Sequence, residues 1–328
     1  MDLNKFLKIL EIENDFTADT IKDAYNNYCS SYRPALFLND LYSEFHSKES
    51  LEEMNSTFGM LMSSISQNEH EKHGGAKTIE EVSQTNFETR AVGSIGLRMV
   101  YIKPGSFIMG TPKNEPRVFI SGEEQHVVTL TKGFYLGVFP ITRFQWHRVM
   151  GADLKNLSGK EYSSGPGHPA YYVSWHDCQD FLANLNKMER STKFRLPTEA
   201  EWEYACRAGS FSKFYYGDDE SYLGLYAWYG GINKLQRPRE VGLLEPNRWG
   251  LCDMLGNVSE WCQDWIYQPG HIPVDSIDPK GPSSGSFKVL RGGSWHDERS
   301  DALRCAARNF DDPRKRNSCI GFRVAMDI

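Results

Sequence analysis

Tryptophan is absent ahead of Trp146, and all eight tryptophans fall between that residue and Trp295. Charge divides the chain in much the same way. Residues 1–92 carry 8 Lys and Arg against 16 Asp and Glu, whereas residues 93–328 carry 29 against 27. An acidic, tryptophan-free segment followed by a nearly neutral aromatic one reads as two domains, in line with the usual ~100–200 residues per domain. Neither part has the basic excess that nucleic acid binding needs. No apolar run approaches the ~20 residues of a membrane helix. The opening MDLNKFLKILEIEND sets acids directly after a short apolar stretch and offers no small-residue cleavage site, which argues against a secretory signal. Cysteine is sparse: seven residues without dense spacing exclude a small disulfide scaffold and point to a reducing compartment. The expectation is a cytoplasmic protein with neither nucleic acid nor membrane among its partners.

Helical spacing organises the acidic segment. Thr17 and Asp19 precede Ile21, Ala24, Tyr25, Tyr28 and Tyr32, which share one helix face, and Pro34 stops the run. Leu51, Met54, Phe58, Leu61 and Ile65 form a second stripe. Two such helices around a loop make an antiparallel hairpin. TADTIKDAYNNYCSSYRPA (17–35) and LEEMNSTFGML (51–61) resemble the second and third helices of a J-domain, the co-chaperone module of Hsp70. That family's His-Pro-Asp triad falls on Arg33, Pro34 and Ala35, so ATPase stimulation is not implied. The resemblance implies a J-domain-like docking module over residues 1–66, with a protein partner. Residues 67–95 are polar, contain Gly74-Gly75 and read as a linker. His70 and His73 in that stretch read as solvated side chains rather than metal ligands.

Residues 96–328 change texture to short strands broken by Gly and Pro. MVYIKPGSFIMG (99–110) has the pattern of a hairpin turning at Pro104-Gly105. FYLGVF begins a strand, and past Pro140 Thr142 is placed to cap a helix bearing Phe144, Trp146 and Val149. VSWHDCQDFLANLNKM (173–188) sets Cys178, Phe181, Leu182 and Leu185 on one helical face. Thr198 and Glu201 form a capping-box pattern at the head of a third helix. Pattern alone reads as α+β with abundant turns. PGSFIMG, FYLGVFPITRFQW, HPAYYVSWHDC, RLPTEAEWEYACR, PNRWGLCDMLGNVSEW, VLRGGSWHDE and GFRVA, in this order, resemble the formylglycine-generating enzyme family, also called the sulfatase-modifying factor family. The resemblance implies that family's large variant of the C-type lectin fold.

The family's enzymes oxidise a substrate cysteine to formylglycine, using two copper-binding cysteines just after an RGGS turn. A thiolate pair is what soft Cu(I) requires. Here the stretch after Arg291-Gly292-Gly293-Ser294 is WHDERSDALRCAARN, with no cysteine before Cys305, so no copper is expected. His296, Asp297 and Glu298 are consecutive, and on a strand they would alternate faces and not converge. His176 and Asp177 read as surface residues of a helix. The resemblance implies a calcium ion on the segment CDMLGNVSE, held by the Asp253 side chain, the Gly256 and Val258 carbonyls and the Glu260 side chain. Carboxylate and carbonyl oxygens are the ligands a hard cation takes. Cys206 and Cys305 match positions that pair in secreted members, and in a reducing compartment they are expected to be close thiols.

Polar, charged and aromatic residues mix in 295–301 and 309–319, inside a frame of VLRGGS, Leu303-Arg304 and IGFRV. A rigid scaffold presenting such loops is the usual geometry of recognition. The candidate ligand-binding residues are Trp295, His296, Asp297, Arg299, Phe310, Asp312, Arg314 and Lys315. The frame also resembles the variable proteins of diversity-generating retroelements. The leading expectation is a non-catalytic protein that binds a protein or peptide. The alternative is a divergent oxidoreductase of the same family using a metal other than thiolate-bound copper.

Overall fold

The computed structural model describes residues 89–111, 124–152, 154, 165–233, 237–266 and 276–328. The helices expected over residues 1–66 and the histidines of 67–95 lie outside the described residues. The described chain begins with strands β1 (Thr89–Val92), β2 (Leu97–Ile102), β3 (Gly105–Met109), β4 (His126–Leu130) and β5 (Phe134–Gly137). Helices α1 (Arg143–Met150) and α2 (Trp175–Met188), strand β6 (Phe194–Arg195) and helix α3 (Glu199–Arg207) follow. Then come β7 (Ala227–Trp228), a short α4 (Gly230–Asn233), β8 (Leu255–Gly256), β9 (Ser259–Trp265), β10 (Lys288–Arg291), β11 (Arg308–Asp311), β12 (Ile320–Gly321) and β13 (Ala325–Asp327). β1 falls within the stretch read from sequence as linker.

The three longer helices begin for one local reason. Thr142, Ser174 and Thr198 each accept a hydrogen bond from the backbone three residues on, and Gln145, Asp177 and Glu201 reach back to the cap backbone. Each such cap stabilises its helix by about 1 kcal/mol and sets its first residue. α1 stops at Gly151, which adopts the left-handed conformation that an L-residue resists. α2 buries Cys178, Phe181, Leu182 and Leu185, the stripe its spacing implies. Trp146 of α1 stacks on Phe181 with centroids 5.5 Å apart, and Phe322 meets both rings edge-on.

The strands form a mixed α+β architecture. A five-stranded antiparallel sheet runs β1-β2-β5-β13-β6, and a four-stranded sheet runs β11-β10-β9-β12 with β12 parallel to β9. β3 pairs only with β4, and β7 pairs in parallel with β8. The hairpin expected over 99–110 is therefore corrected. β2 pairs with β1 and β5, while the Pro104-Gly105 bend passes the chain to a separate two-stranded sheet. Alternation specifies which face each strand buries, not its partner.

Buried charge ties α3 to the four-stranded sheet. Arg291 and Arg308 are register partners on β10 and β11, and Glu199 and Glu203 stand one turn apart on α3. Glu199 takes Arg308 bidentately at 2.6 and 2.7 Å, and Glu203 pairs with both Arg291 and Arg207. A helical i,i+4 spacing thus matches a cross-strand arginine pair. Arg291 also donates to the carbonyls of Cys305, Ala306 and Ala307, which anchors the chain that follows β10.

Candidate functional site

At the end of β10 the chain turns through Gly292 and Gly293, with φ of 91° and 67°. A Cβ on Gly293 would lie 2.8 Å from the Ala302 carbonyl, so glycine here is a requirement of close approach as well as of φ. Ser294 to Arg299 then form turns rather than a strand. This corrects the alternating arrangement expected for His296, Asp297 and Glu298. Asp297 folds back so that its Oδ2 accepts the Ser294 N–H at 2.7 Å and the Ser294 hydroxyl at 2.8 Å. Trp295 is buried, at 8% exposure. Its backbone N–H donates to Asn257 and its indole N–H to the Ser318 carbonyl, 3.1 Å away. Trp295 and Asp297 therefore hold the loop in place, while His296 and Arg299 face solvent. Gly230 donates to the Asp297 carbonyl, and a Cβ on Gly231 would meet the Glu298 carbonyl at 2.5 Å. The start of α4 thus closes against this loop. The Gly230-Gly231 pair was the sequence signal for that approach.

The second run starts on β11. Phe310 is 37% exposed and packs on Phe287, with ring centroids 5.0 Å apart. Asp312 pairs with Arg314 at 2.7 Å and Asp311 with Lys315 at 3.2 Å. Hydrogen bonds and charge from Arg314 hold the exposed Asp312 carboxyl well below its usual range. Arg316 grips Asp177 of α2 through two bonds of 2.7 Å, and the His176 N–H donates to the Pro313 carbonyl. Burial opposes ionisation of Asp177, but bonds from Arg316 and Ser174 outweigh it and hold the carboxyl below its usual value. The eight candidate residues thus fall in two groups. Phe310 pairs with Val289, near the start of β10, whereas Trp295 to Arg299 follow its end. Trp295, reaching across to Ser318, joins the two runs. Tyr172, Asp177 and Arg316 were missed from sequence. Tyr172 takes φ 66° and donates to Asn317 and Ile320, shaping the loop from beneath.

The Cys319 thiol lies within hydrogen-bond reach of Ser294, next to the glycine turn. Burial pushes it up, and the bonds it receives from Ser318 and Ser294 do not offset this, so it stays protonated at neutral pH. Cys206 and Cys305 lie fully buried with sulfurs 3.7 Å apart, the close pair expected. Among the described residues, no group of three or more His, Cys, Asp or Glu is arranged to hold a metal ion.

The carboxylates expected to hold calcium are both engaged by protein donors. Glu260 Oε2 accepts the Trp202 indole N–H at 2.8 Å and Arg323 Nε–H at 2.6 Å, and its Oε1 accepts Arg323 Nη2–H at 2.7 Å. Asp253 Oδ2 accepts the Gly242 N–H at 2.6 Å, and Oδ1 the Asn257 amide at 3.2 Å. Burial raises the Asp253 carboxyl to about 6. Gly256 and Val258 are buried within the same clamp, Gly256 pairing with Trp228. Melting curves in calcium and in chelator are expected to coincide. A melting temperature that climbs with calcium, as mass action requires of a ligand of the native state, would restore the site.

A mixed α+β scaffold whose last third presents loops around a buried arginine–glutamate lattice defines the class. Residues 83–328 match the sulfatase-modifying factor enzyme 1-like domain, and the chain belongs to that family. It is 34% identical over 197 residues to the formylglycine-generating enzyme of Streptomyces coelicolor, covering 56% of this chain and 60% of that enzyme. Across the formylglycine-generating enzymes it matches, the chain spans 50% to 64% of their length. Its fold is similar to that of Treponema denticola variable protein 1, with TM-score 0.64 and 29% identity over 75% of this chain and all of that one. PvdO from Pseudomonas aeruginosa gives TM-score 0.64 and 27% identity at the same coverage. No helix among the described residues is long and apolar enough to cross a membrane.

Proposed function

We propose that this chain is a non-catalytic recognition protein, in which the loops after the glycine turn bind a protein or peptide. One observation carries the reading. His296, Arg299, Phe310, Arg314 and Lys315 reach solvent from the turns after β10, from β11 and from the loop after it, while Trp295 and Asp297 are spent on holding the backbone. Aromatic and arginine side chains on a rigid base are the common hot-spot types of interfaces. The likeness to a protein named as variable supports the same use of this frame. We read the chain as a variable protein of the diversity-generating retroelement kind and its fold as the C-type lectin variant. The acidic residues 1–66 are read as a J-domain-like docking module for a protein partner, and the chain as cytoplasmic.

The names of the curated relatives favour a second reading, a divergent oxidoreductase of the family. The glycine turn is followed by Trp295 and His296 with no thiol before Cys305, which weighs against it. Incubating the purified chain with Cu(I), oxygen and a cysteine peptide is expected to return the peptide without formylglycine, by mass spectrometry. Catalytic formation of the aldehyde would overturn the recognition reading.

A further inference from the structure

A cavity of about 1060 Å³ lies at the end of the five-stranded sheet where β5 and β6 begin and β13 finishes, bounded also by α2, the head of α3 and residues 278–280. Strand register sets its length. Tyr101 of β2 pairs with Tyr135 of β5, Tyr135 with Met326 of β13, and Met326 with Phe194 of β6. Tyr101 and Phe194 both line the cavity and stand three strands apart, about 14 Å at ~4.8 Å per strand. Leu130, Leu182 and Leu196 give the wall an apolar base, each of them buried. The volume is at the upper end of the roughly 300–1,000 Å³ usual for small-ligand sites.

The two ends of the cavity differ in charge. At the β6 end Arg195 serves two acids, Glu201 through bonds of 2.6 and 2.7 Å and Asp327 at 2.8 Å, which leaves one negative charge in excess. Asp327 is the more open of the two acids, its side chain 57% exposed. At the β2 end Asp278 spends both oxygens on the Thr131 N–H and hydroxyl. Burial opposes its ionisation, but the Thr131 bonds, then the charges of Lys132 and Lys280, hold the carboxyl below its usual value. Two exposed cations thus stand by one acid, and neither lysine has an ion-pair partner among the described residues. Tyr101 lies at the same end. A Cβ at Gly133 would collide with its hydroxyl, so glycine keeps that hydroxyl uncovered. Elsewhere on the wall Gln179 donates to Gln263 at 3.2 Å, which leaves the Gln179 carbonyl and a Gln263 N–H for one further amide.

We propose that this cavity binds a short peptide as a zwitterion, its carboxylate at Lys132, Lys280 and Tyr101 and its ammonium at Glu201 and Asp327. Four extended residues cover about 14 Å at ~3.3–3.6 Å each, the span between the two charged ends. A free amino acid carries both charges on one carbon and reaches only one end. An apolar chain with a single charge likewise satisfies one end and leaves the spare amide groups unused. The cavity shares no residue with the recognition loops, and its test does not depend on them.

Titration calorimetry of the full chain with the peptide Ala-Leu-Leu-Ala at low ionic strength is expected to show saturable one-to-one binding. Acetylating its amino end or amidating its carboxyl end should each weaken binding at least several-fold, and leucine alone should bind more weakly than the free peptide. Lys132→Gln combined with Lys280→Gln, both on exposed side chains, should weaken the free peptide several-fold and leave the amidated peptide unchanged. Tyr101→Phe should weaken the free peptide in the same sense by a smaller factor. Alanine at His296, Arg299, Phe310, Arg314 and Lys315 together should leave this affinity as it is. Binding lost in that loop variant but kept in the lysine variant would put the peptide on the recognition loops and overturn the cavity proposal. Absence of binding, or equal affinity for the free and blocked peptides, would overturn it as well, whether or not the loops bind a protein.

Discussion

Glu260→Ala is expected to unfold the domain. Arg323 sits at the junction of the two larger sheets, fully buried. It donates to both Glu260 oxygens and to the carbonyls of Gly137, Val138, Cys252 and Asp253. Those carbonyls belong to β5, the residue after it, and the segment before β8, so this guanidinium ties three parts of the chain together. Removing the carboxylate leaves a buried cation without its counter-charge and the Trp202 indole N–H without an acceptor. Breaking a buried pair in this way costs about 3–5 kcal/mol, a large share of the ~5–15 kcal/mol that holds a typical domain folded. Urea denaturation followed by tryptophan fluorescence reads the loss. A midpoint equal to that of the wild type would show that the lattice is not what holds the sheets together.

Gly293→Val should be nearly as damaging, for a different reason. The position combines φ of 67° with a Cβ path blocked at 2.8 Å by the Ala302 carbonyl and at 3.2 Å by Leu303. A left-handed conformation costs an L-residue roughly 1–2 kcal/mol, and forcing atoms into a packed site adds about 1–3 kcal/mol. The branched side chain makes both worse, so Gly293→Ala should fall between wild type and valine. Because the strain sits at the root of the 294–299 turns, the alanine variant should lose ligand binding before it loses its cooperative melt. If valine at 293 melts like the wild type, the turn is not under the constraint described.

Local chemistry decided what could be read without the structure. The helices at Thr142, Ser174 and Thr198 were legible because capping residues and apolar stripes are short-range signals. The MVYIKPGSFIMG segment was misread because pairing is long-range. β2 and β3 are separated by two residues yet serve different sheets. The calcium assignment rests on a resemblance, which carries residue types but not their partners. Glu260 is engaged by Arg323, some sixty residues away in sequence. Trp295 and Asp297 were candidate ligand contacts because the stretch mixes aromatic and charged residues inside a fixed frame. In a turn, the same two side chains point back to Ser318 and Ser294.

The recognition reading is tested most directly by affinity for peptides selected from a displayed random library against the folded chain. Single alanine substitutions at Arg299, Phe310 and Arg314 lie on side chains that reach solvent. They should each cost about 1–3 kcal/mol of binding, while the melting temperature stays near that of the wild type. Affinity that is unchanged when His296, Arg299, Phe310, Arg314 and Lys315 are all replaced by alanine in a folded protein would place recognition elsewhere and contradict the account.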